Sequence, residues 1–93
     1  MFKIFLAPRA AREFAKLSKE TQQKLYNELT FLSVDPYRYR KVKKIRGSKF
    51  GYRLRLGRWR ILFAIFRKDK RVEVVDIFLR KERHDYHGKR LLR

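Results

Sequence analysis

The stretch Tyr52-Arg-Leu-Arg-Leu-Gly-Arg-Trp-Arg-Ile-Leu-Phe-Ala-Ile-Phe66 decides how this chain folds. Up to Leu56 it alternates strictly. Tyr52, Leu54 and Leu56 fall on one side of an extended backbone and Arg53 and Arg55 on the other, the period of a half-buried strand with a basic open face. Gly57 admits a tight turn, and residues 59–66, rich in aromatic and β-branched side chains, suit a central strand. Paired as a hairpin, the two segments bring Arg53, Arg55 and Arg60 onto one surface while the apolar side chains hold the sheet to a core. Three guanidinium groups on a rigid sheet suggest a phosphate site, with Arg60 aimed at the phosphate and not at a buried partner.

Before this hairpin, residues 42–46 read as a strand turned at Gly47-Ser48. After it, Lys68-Asp69-Lys70 turns the chain into a last strand over residues 71–79, rich in Val and Ile. At the other end of the chain, residues 2–6 alternate around Lys3 and stop at Ala7-Pro8, and Pro8 suits the first turn of a helix. Ala11, Phe14, Ala15 and Leu17 recur near a 3.6-residue period and predict a short amphipathic helix. Ser18 is an N-cap for a second helix carrying Leu25, Leu29 and Leu32 at i, i+4 and i+7, and Asp35-Pro36 ends it. Helices joined so tightly form a hairpin. The expected fold is α+β: an N-terminal strand, a helical hairpin, then a mainly antiparallel sheet with the helices packed on one face and the other face left for function. The 93 residues amount to a single domain over residues 1–93.

Charge is distributed unevenly along this frame. The formal net charge is +18, from 27 Lys and Arg against 9 Asp and Glu, and residues 36–68 hold no carboxylate at all. A solvated face mixes signs to avoid self-repulsion, so an excess of this size asks for a polyanionic partner. Lys and Arg interleaved with Tyr37, Tyr39, Tyr52 and Trp59 is the mixture that neutralises phosphates and stacks on unpaired bases. No apolar run approaches the roughly 20 residues of a spanning helix, and the N-terminal block, interrupted by Lys3, is too short for a secretory core. These features predict a soluble cytoplasmic protein with no membrane partner. The absence of cysteine excludes disulfides and thiolate metal sites.

There is no Gly-rich phosphate loop, no HExxH and no Ser-His-Asp set. His84, Asp85 and His87 stand close in sequence, but among many cations and one carboxylate, a field that repels a divalent ion. No metal or other cofactor is expected. Metal-free RNA cleavage remains open to this inventory. A 2′-OH attacks the adjacent phosphate in line if cations neutralise the phosphorane, one group takes the proton of the nucleophile and another protonates the leaving 5′-oxygen. Arg53, Arg55, Arg60 and Arg83 supply cations, and Tyr86 or a histidine moves a proton. Arginine itself keeps its proton and is a poor base.

The segment Lys44-Ile-Arg-Gly47, the following Gly51-Tyr-Arg-Leu-Arg-Leu-Gly-Arg-Trp-Arg-Ile-Leu-Phe63 and the tail with Arg83-His-Asp-Tyr86 resemble toxins of the RelE/ParE superfamily over nearly the whole chain. The YRLRLGxxR element is the specific part. The resemblance implies the toxin half of a toxin–antitoxin pair held by a cognate acidic antitoxin. The RelE branch cuts messenger RNA in the ribosomal A site, and the ParE branch poisons DNA gyrase. The family's basic pair falls on Arg53 and Arg55, its sheet arginine on Arg60, and its C-terminal basic and tyrosine positions on Lys81 or Arg83 and on Tyr86. Lys43, Lys44, Arg46, Lys49, Arg58, Lys81 and His87 complete the expected RNA contacts. Two departures stand out: arginine at both 53 and 55 leaves the proton acceptor open, and a spacing from Arg83 to Tyr86 shorter by one puts His87 in competition with Tyr86. The expected activity is a ribosome-dependent, metal-free endoribonuclease that inhibits translation, set against a ParE-like gyrase inhibitor and a plain RNA-binding module.

Overall fold

The computed structural model describes residues 1–37 and 41–80. Five strands and two helices follow in the order β1 (Lys3–Leu6), α1 (Pro8–Lys16), α2 (Lys19–Val34), β2 (Val42–Lys44), β3 (Gly51–Leu56), β4 (Trp59–Phe66) and β5 (Arg71–Leu79). They form one sheet in the order β1-β5-β4-β3-β2. The strands β2 to β5 make an antiparallel meander, and β1 closes the far edge, parallel to β5 with Lys3 beside Arg71 and Leu6 beside Val74.

Each helix boundary has a local cause. Pro8 occupies the start of α1, where its missing N–H costs nothing. Ser18 caps α2 by accepting the Thr21 N–H at 3.1 Å, and Glu20 sits in the first turn, where the helix dipole favours negative charge. At the other end Asp35 leaves helical geometry ahead of Pro36 and its carboxylate accepts the Tyr37 N–H at 3.2 Å. The Phe2 N–H donates to the Ser33 carbonyl at 2.8 Å, tying the start of β1 to the last turn of α2.

The main core lies between the helices and one face of the sheet. Ala10, Leu25, Leu29 and Leu32 meet Leu54, Ile61, Phe63, Ile65, Val72, Val74 and Ile77, with Phe14 and Leu17 at the margin. In α2 the buried leucines are those the periodicity marks. In α1 the inward stripe runs through buried Ala10 and half-buried Phe14 to Leu17 at the C-cap, and the expected Ala11 and Ala15 are exposed. The shift follows from the connection to β1: the Ala7 N–H is committed to the Val74 carbonyl at 2.8 Å, and that bond fixes which side of the next turn meets β5. Phe63 is fully buried, and its truncation to alanine would cost about 3–5 kcal/mol.

The opposite face is not left bare. Ile45, Leu62, Ala64 and Phe78 form a second, smaller apolar cluster with Phe66 and Val75 against it. The segment after β2 supplies its cover. Expected as strand to residue 46, β2 ends at Lys44; the Ile45 N–H still reaches the Gly51 carbonyl at 3.0 Å in line with the ladder, and the chain then turns, the Ser48 N–H donating to the Ile45 carbonyl at 3.2 Å. Ile45 keeps the parity of Lys43 and so falls on this face, and the turn through Gly47, with a φ of 83°, ends the pairing beyond it.

Candidate nucleic-acid interface

The β3–β4 hairpin closes through Gly57 and Arg58, with Leu56 opposite Trp59. Gly57 has a φ of 59° and Arg58 a negative one, the pattern of a type II′ turn, whose twist matches that of its strands. The register puts Arg55 opposite Arg60 and Arg53 opposite Leu62, and on the other side of β3 Lys43 opposite Arg53. Because paired residues of an antiparallel sheet share a face, Lys43, Arg53, Arg55 and Arg60 all lie on the face away from the helices.

They are not equivalent on that face. Lys43 and Arg55 are exposed and Arg53 is half-buried. Arg60 is only 7% exposed, and its Nη1 donates to the carbonyls of Gly57 at 2.9 Å and Trp59 at 2.8 Å. The guanidinium expected to point at a phosphate is therefore also a brace for the turn. Its charge stays beside Arg55 and contributes to the local positive potential, but part of its donor fork is engaged by the hairpin.

The other expected contacts divide between two sides. Arg46 and Lys49 are exposed on the 45–50 loop and Arg58 is exposed in the hairpin turn. Lys44 is paired with Tyr52 and so belongs to the helix side; its ammonium sits 5.6 Å from the Tyr52 ring centroid and donates to the Ser48 carbonyl. The structure does not bring Lys44 together with the arginines. Arg83, Tyr86, Lys81 and His87 lie outside the described residues, as does Tyr39.

The aromatic residues need the same sorting. Tyr52 and Trp59 pack at the margin of the main core, Tyr52 stacked on Phe63 with centroids 6.0 Å apart, and so face away from the arginines. Tyr37 meets Tyr52 edge-on at 6.0 Å and carries the Arg67 guanidinium over its ring at 5.8 Å. Burial first, and then the neighbouring Tyr37 phenol, push the Tyr52 phenol above the usual tyrosine value. Phe66 and Phe78 belong to the smaller apolar cluster on the arginine face, and Phe50, exposed and lying against Phe66, is the aromatic residue on that side that sequence reading passed over. Its only signal was an apolar residue between Lys49 and Gly51 in an otherwise polar turn.

Among the described residues no group of three His, Cys, Asp or Glu side chains is placed to hold a metal ion, and no helix is long and apolar enough to cross a membrane. Two carboxylates from outside residues 36–68 are engaged in ion pairs: Glu28 accepts from Lys41 Nζ at 3.1 Å, and the buried Asp76, paired with Leu62 across β4 and β5, lies 3.5 Å from Arg9 Nε.

A strand, a helical hairpin and a four-stranded meander ordered in this way make up the fold of the RelE toxins. A double mutant of Escherichia coli RelE in the free state superposes with a TM-score of 0.78 at 21% identity, covering 98% of each chain. The RelE–RelB complex of Pyrococcus horikoshii gives 0.75 at 22% identity over 85% of this chain and 94% of that one. The RelBE2 complex of Mycobacterium tuberculosis gives 0.74 at 21% over 85% and 91%. At these identities the likeness is one of fold. Comparison with curated protein sequences gives no match. Residues 4–84 match the family of the ParE toxin of type II toxin–antitoxin system, parDE, and the chain belongs to this family, within the RelE/ParE superfamily of toxins.

Proposed function

We propose that this toxin is a ribosome-dependent, metal-free endoribonuclease that cleaves messenger RNA in the A site. The observation that carries this reading is the alignment of Lys43, Arg53, Arg55 and Arg60 on one sheet face, drawn from a segment that holds no carboxylate. Fixed cations of this kind act where phosphorane charge develops and need no reorganisation at the moment of reaction. In the proposed reaction the 2′-oxygen forms a bond to phosphorus as the bond to the 5′-oxygen breaks. Arg53 and Arg55 neutralise the non-bridging oxygens, Arg60 adds its charge from the hairpin, and Arg83 joins them from the tail. Tyr86 or His87 moves the proton released by the nucleophile to the leaving oxygen. Lys43, Arg46, Lys49, Arg58 and Lys81 hold the flanking phosphates. Lys44 has the weakest claim of the residues expected to touch RNA, because it faces the other way.

A cognate acidic antitoxin fits the same charge distribution, and the RelE relatives solved with RelB support that partnership. One observation favours a second reading: the family match is to ParE toxins, the branch for which the resemblance implies inhibition of DNA gyrase. One pair of assays separates the two. The protein is added to translating ribosomes and the message mapped for breaks, and in parallel to gyrase with supercoiled DNA. Breaks within A-site codons support the nuclease. Loss of supercoiling activity with an intact message supports the gyrase inhibitor and overturns the first reading.

A further inference from the structure

We infer that Phe50 is a stacking platform for an unpaired RNA base, a contact outside the cleavage centre on the same face of the sheet. The inference rests on the reading of that face as an RNA surface and extends it to a specific ring.

The 45–50 loop is held at several points. Besides the two bonds at Ile45, the Gly51 N–H donates to Ser48 Oγ at 3.0 Å, the Ile65 N–H donates to the Phe50 carbonyl at 3.1 Å, and the Lys44 ammonium holds the Ser48 carbonyl. Ser48 itself is buried. A loop tied down in this way presents its ring in one place, so little conformational entropy is lost when a ligand meets it. Phe50 is nevertheless 40% exposed. One side of it lies against Phe66, with centroids 5.5 Å apart and an interplanar angle of 34°. Phe66 is braced in turn by the Arg71 guanidinium 4.4 Å from its centroid.

Phe66 shares the strand parity of Arg60, Leu62 and Ala64, and the Phe50 ring, lying against the Phe66 ring, stands at that end of the arginine face. Exposed Lys49 precedes it and exposed Arg46 stands in the same loop. An exposed, rigid aromatic ring between cations takes a polyanion that carries flat apolar groups, which describes single-stranded nucleic acid. Phe50 bonds the backbone at Ile65, five residues along β4 from Arg60, or roughly 17 Å at strand rise. A base stacked there belongs to a nucleotide beyond the two that flank the attacked phosphate. Phe50 is thus a binding residue for the length of the strand and takes no part in the chemistry.

The test is titration of the full chain with a labelled, 2′-O-methylated oligouridylate, which binds without being cut, over a series of salt concentrations. Stacking on an aromatic side chain accounts for about 1–3 kcal/mol per base, so Phe50→Ala is expected to weaken binding roughly 5- to 150-fold. The slope of log K against log salt should not change, because no phosphate contact is lost. Phe50→Tyr should bind as the wild type does. Phe50→Leu keeps an apolar contact with Phe66 and so protects the fold, but it should bind as weakly as Phe50→Ala. Equal affinity in the wild type, the alanine and the leucine variants overturns the inference. So does a loss that comes with a reduced salt slope, or one seen only toward an acidic protein partner with RNA binding intact. Arg53→Ala in the same titration tests the reading underneath: if it leaves both affinity and slope unchanged, the face is not an RNA surface. If Arg53 matters and Phe50 does not, the platform alone fails.

Discussion

Arg55 and Arg60 stand directly opposite each other across the β3–β4 hairpin, and the like charges are accommodated by unequal environments. Arg55 is exposed, whereas Arg60 is 7% exposed and bonded through Nη1 to two carbonyls of its own turn. Facing cations on neighbouring strands destabilise a sheet, so the juxtaposition itself opposes the stability of the hairpin while the Arg60 contacts to the turn carbonyls support it.

Arg55→Ala should therefore separate stability from activity. Removing the exposed member of the pair relieves repulsion and should leave the urea midpoint unchanged or raise stability by up to about 1 kcal/mol. On the proposed function, loss of one preorganised cation costs about 2.7–4 kcal/mol of transition-state stabilisation, a fall of roughly a hundred- to a thousandfold in message cleavage. Denaturation and ribosome cleavage assays on the same preparation check both halves. A parallel loss of stability and activity would contradict the account.

Arg60→Ala should behave differently, because Arg60 also holds the turn. It removes hydrogen bonds from a charged donor to the Gly57 and Trp59 carbonyls and should cost about 1.5–3 kcal/mol, seen as a lower unfolding midpoint. Arg60→Lys keeps the charge but not the planar fork, and should recover only part of that stability. If Arg60→Ala unfolds at the wild-type midpoint, the carbonyl contacts do not brace the turn.

Gly57→Ala isolates a backbone effect. A Cβ at this position would meet nothing within 4 Å, so sterics with the rest of the protein are absent and the φ of 59° sets the cost. The expected loss is about 1–2 kcal/mol with an unchanged denaturant slope. A neutral substitution would mean that the turn readily adopts another type.

Tyr52 gives the protein a dependence on alkaline pH. Its folded-state phenol titrates above the ordinary value of 10.0, chiefly through burial and then through Tyr37. The fold thus favours the neutral phenol. The stability this contributes is complete below the unfolded value and is lost as pH rises through the folded one, since the unfolded chain releases its proton first. Above about pH 10 the wild type should lose stability more steeply than Tyr52→Phe. Coincident stability profiles for the two proteins would refute this.

Much of the fold is legible in residues 52–66 because strand parity is a local property. Alternation of Arg and Leu through Leu56, a glycine where φ must be positive and a run of β-formers from Trp59 suffice to give the hairpin, its two faces and the register of the arginines. Ser18, Pro8 and Asp35-Pro36 mark the helix ends for equally local reasons, and the Leu25, Leu29 and Leu32 stripe states which side of α2 is inside. Composition alone establishes that the excess positive charge is gathered where carboxylates are absent.

What lay beyond the sequence depended on contacts between distant segments. The burial of Ala10 in place of Ala11 follows from where β1 delivers α1 onto β5, and the parallel pairing of β1 with β5 is invisible from either strand alone. Period-two alternation says that Tyr52 and Trp59 leave the arginine face, yet their composition reads as base-stacking until the helices are seen to occupy the other side. Arg60 and Phe50 make the contrast sharpest. The sequence determines that Arg60 shares a face with Arg55, but only the tertiary structure turns its guanidinium to the carbonyls of Gly57 and Trp59. It likewise takes the folded 45–50 loop, with Ile45 buried under the sheet, to carry Phe50 against Phe66 at the end of that face. Parity is fixed by the chain's own geometry, whereas burial and side-chain direction are fixed by whatever the rest of the chain packs against it.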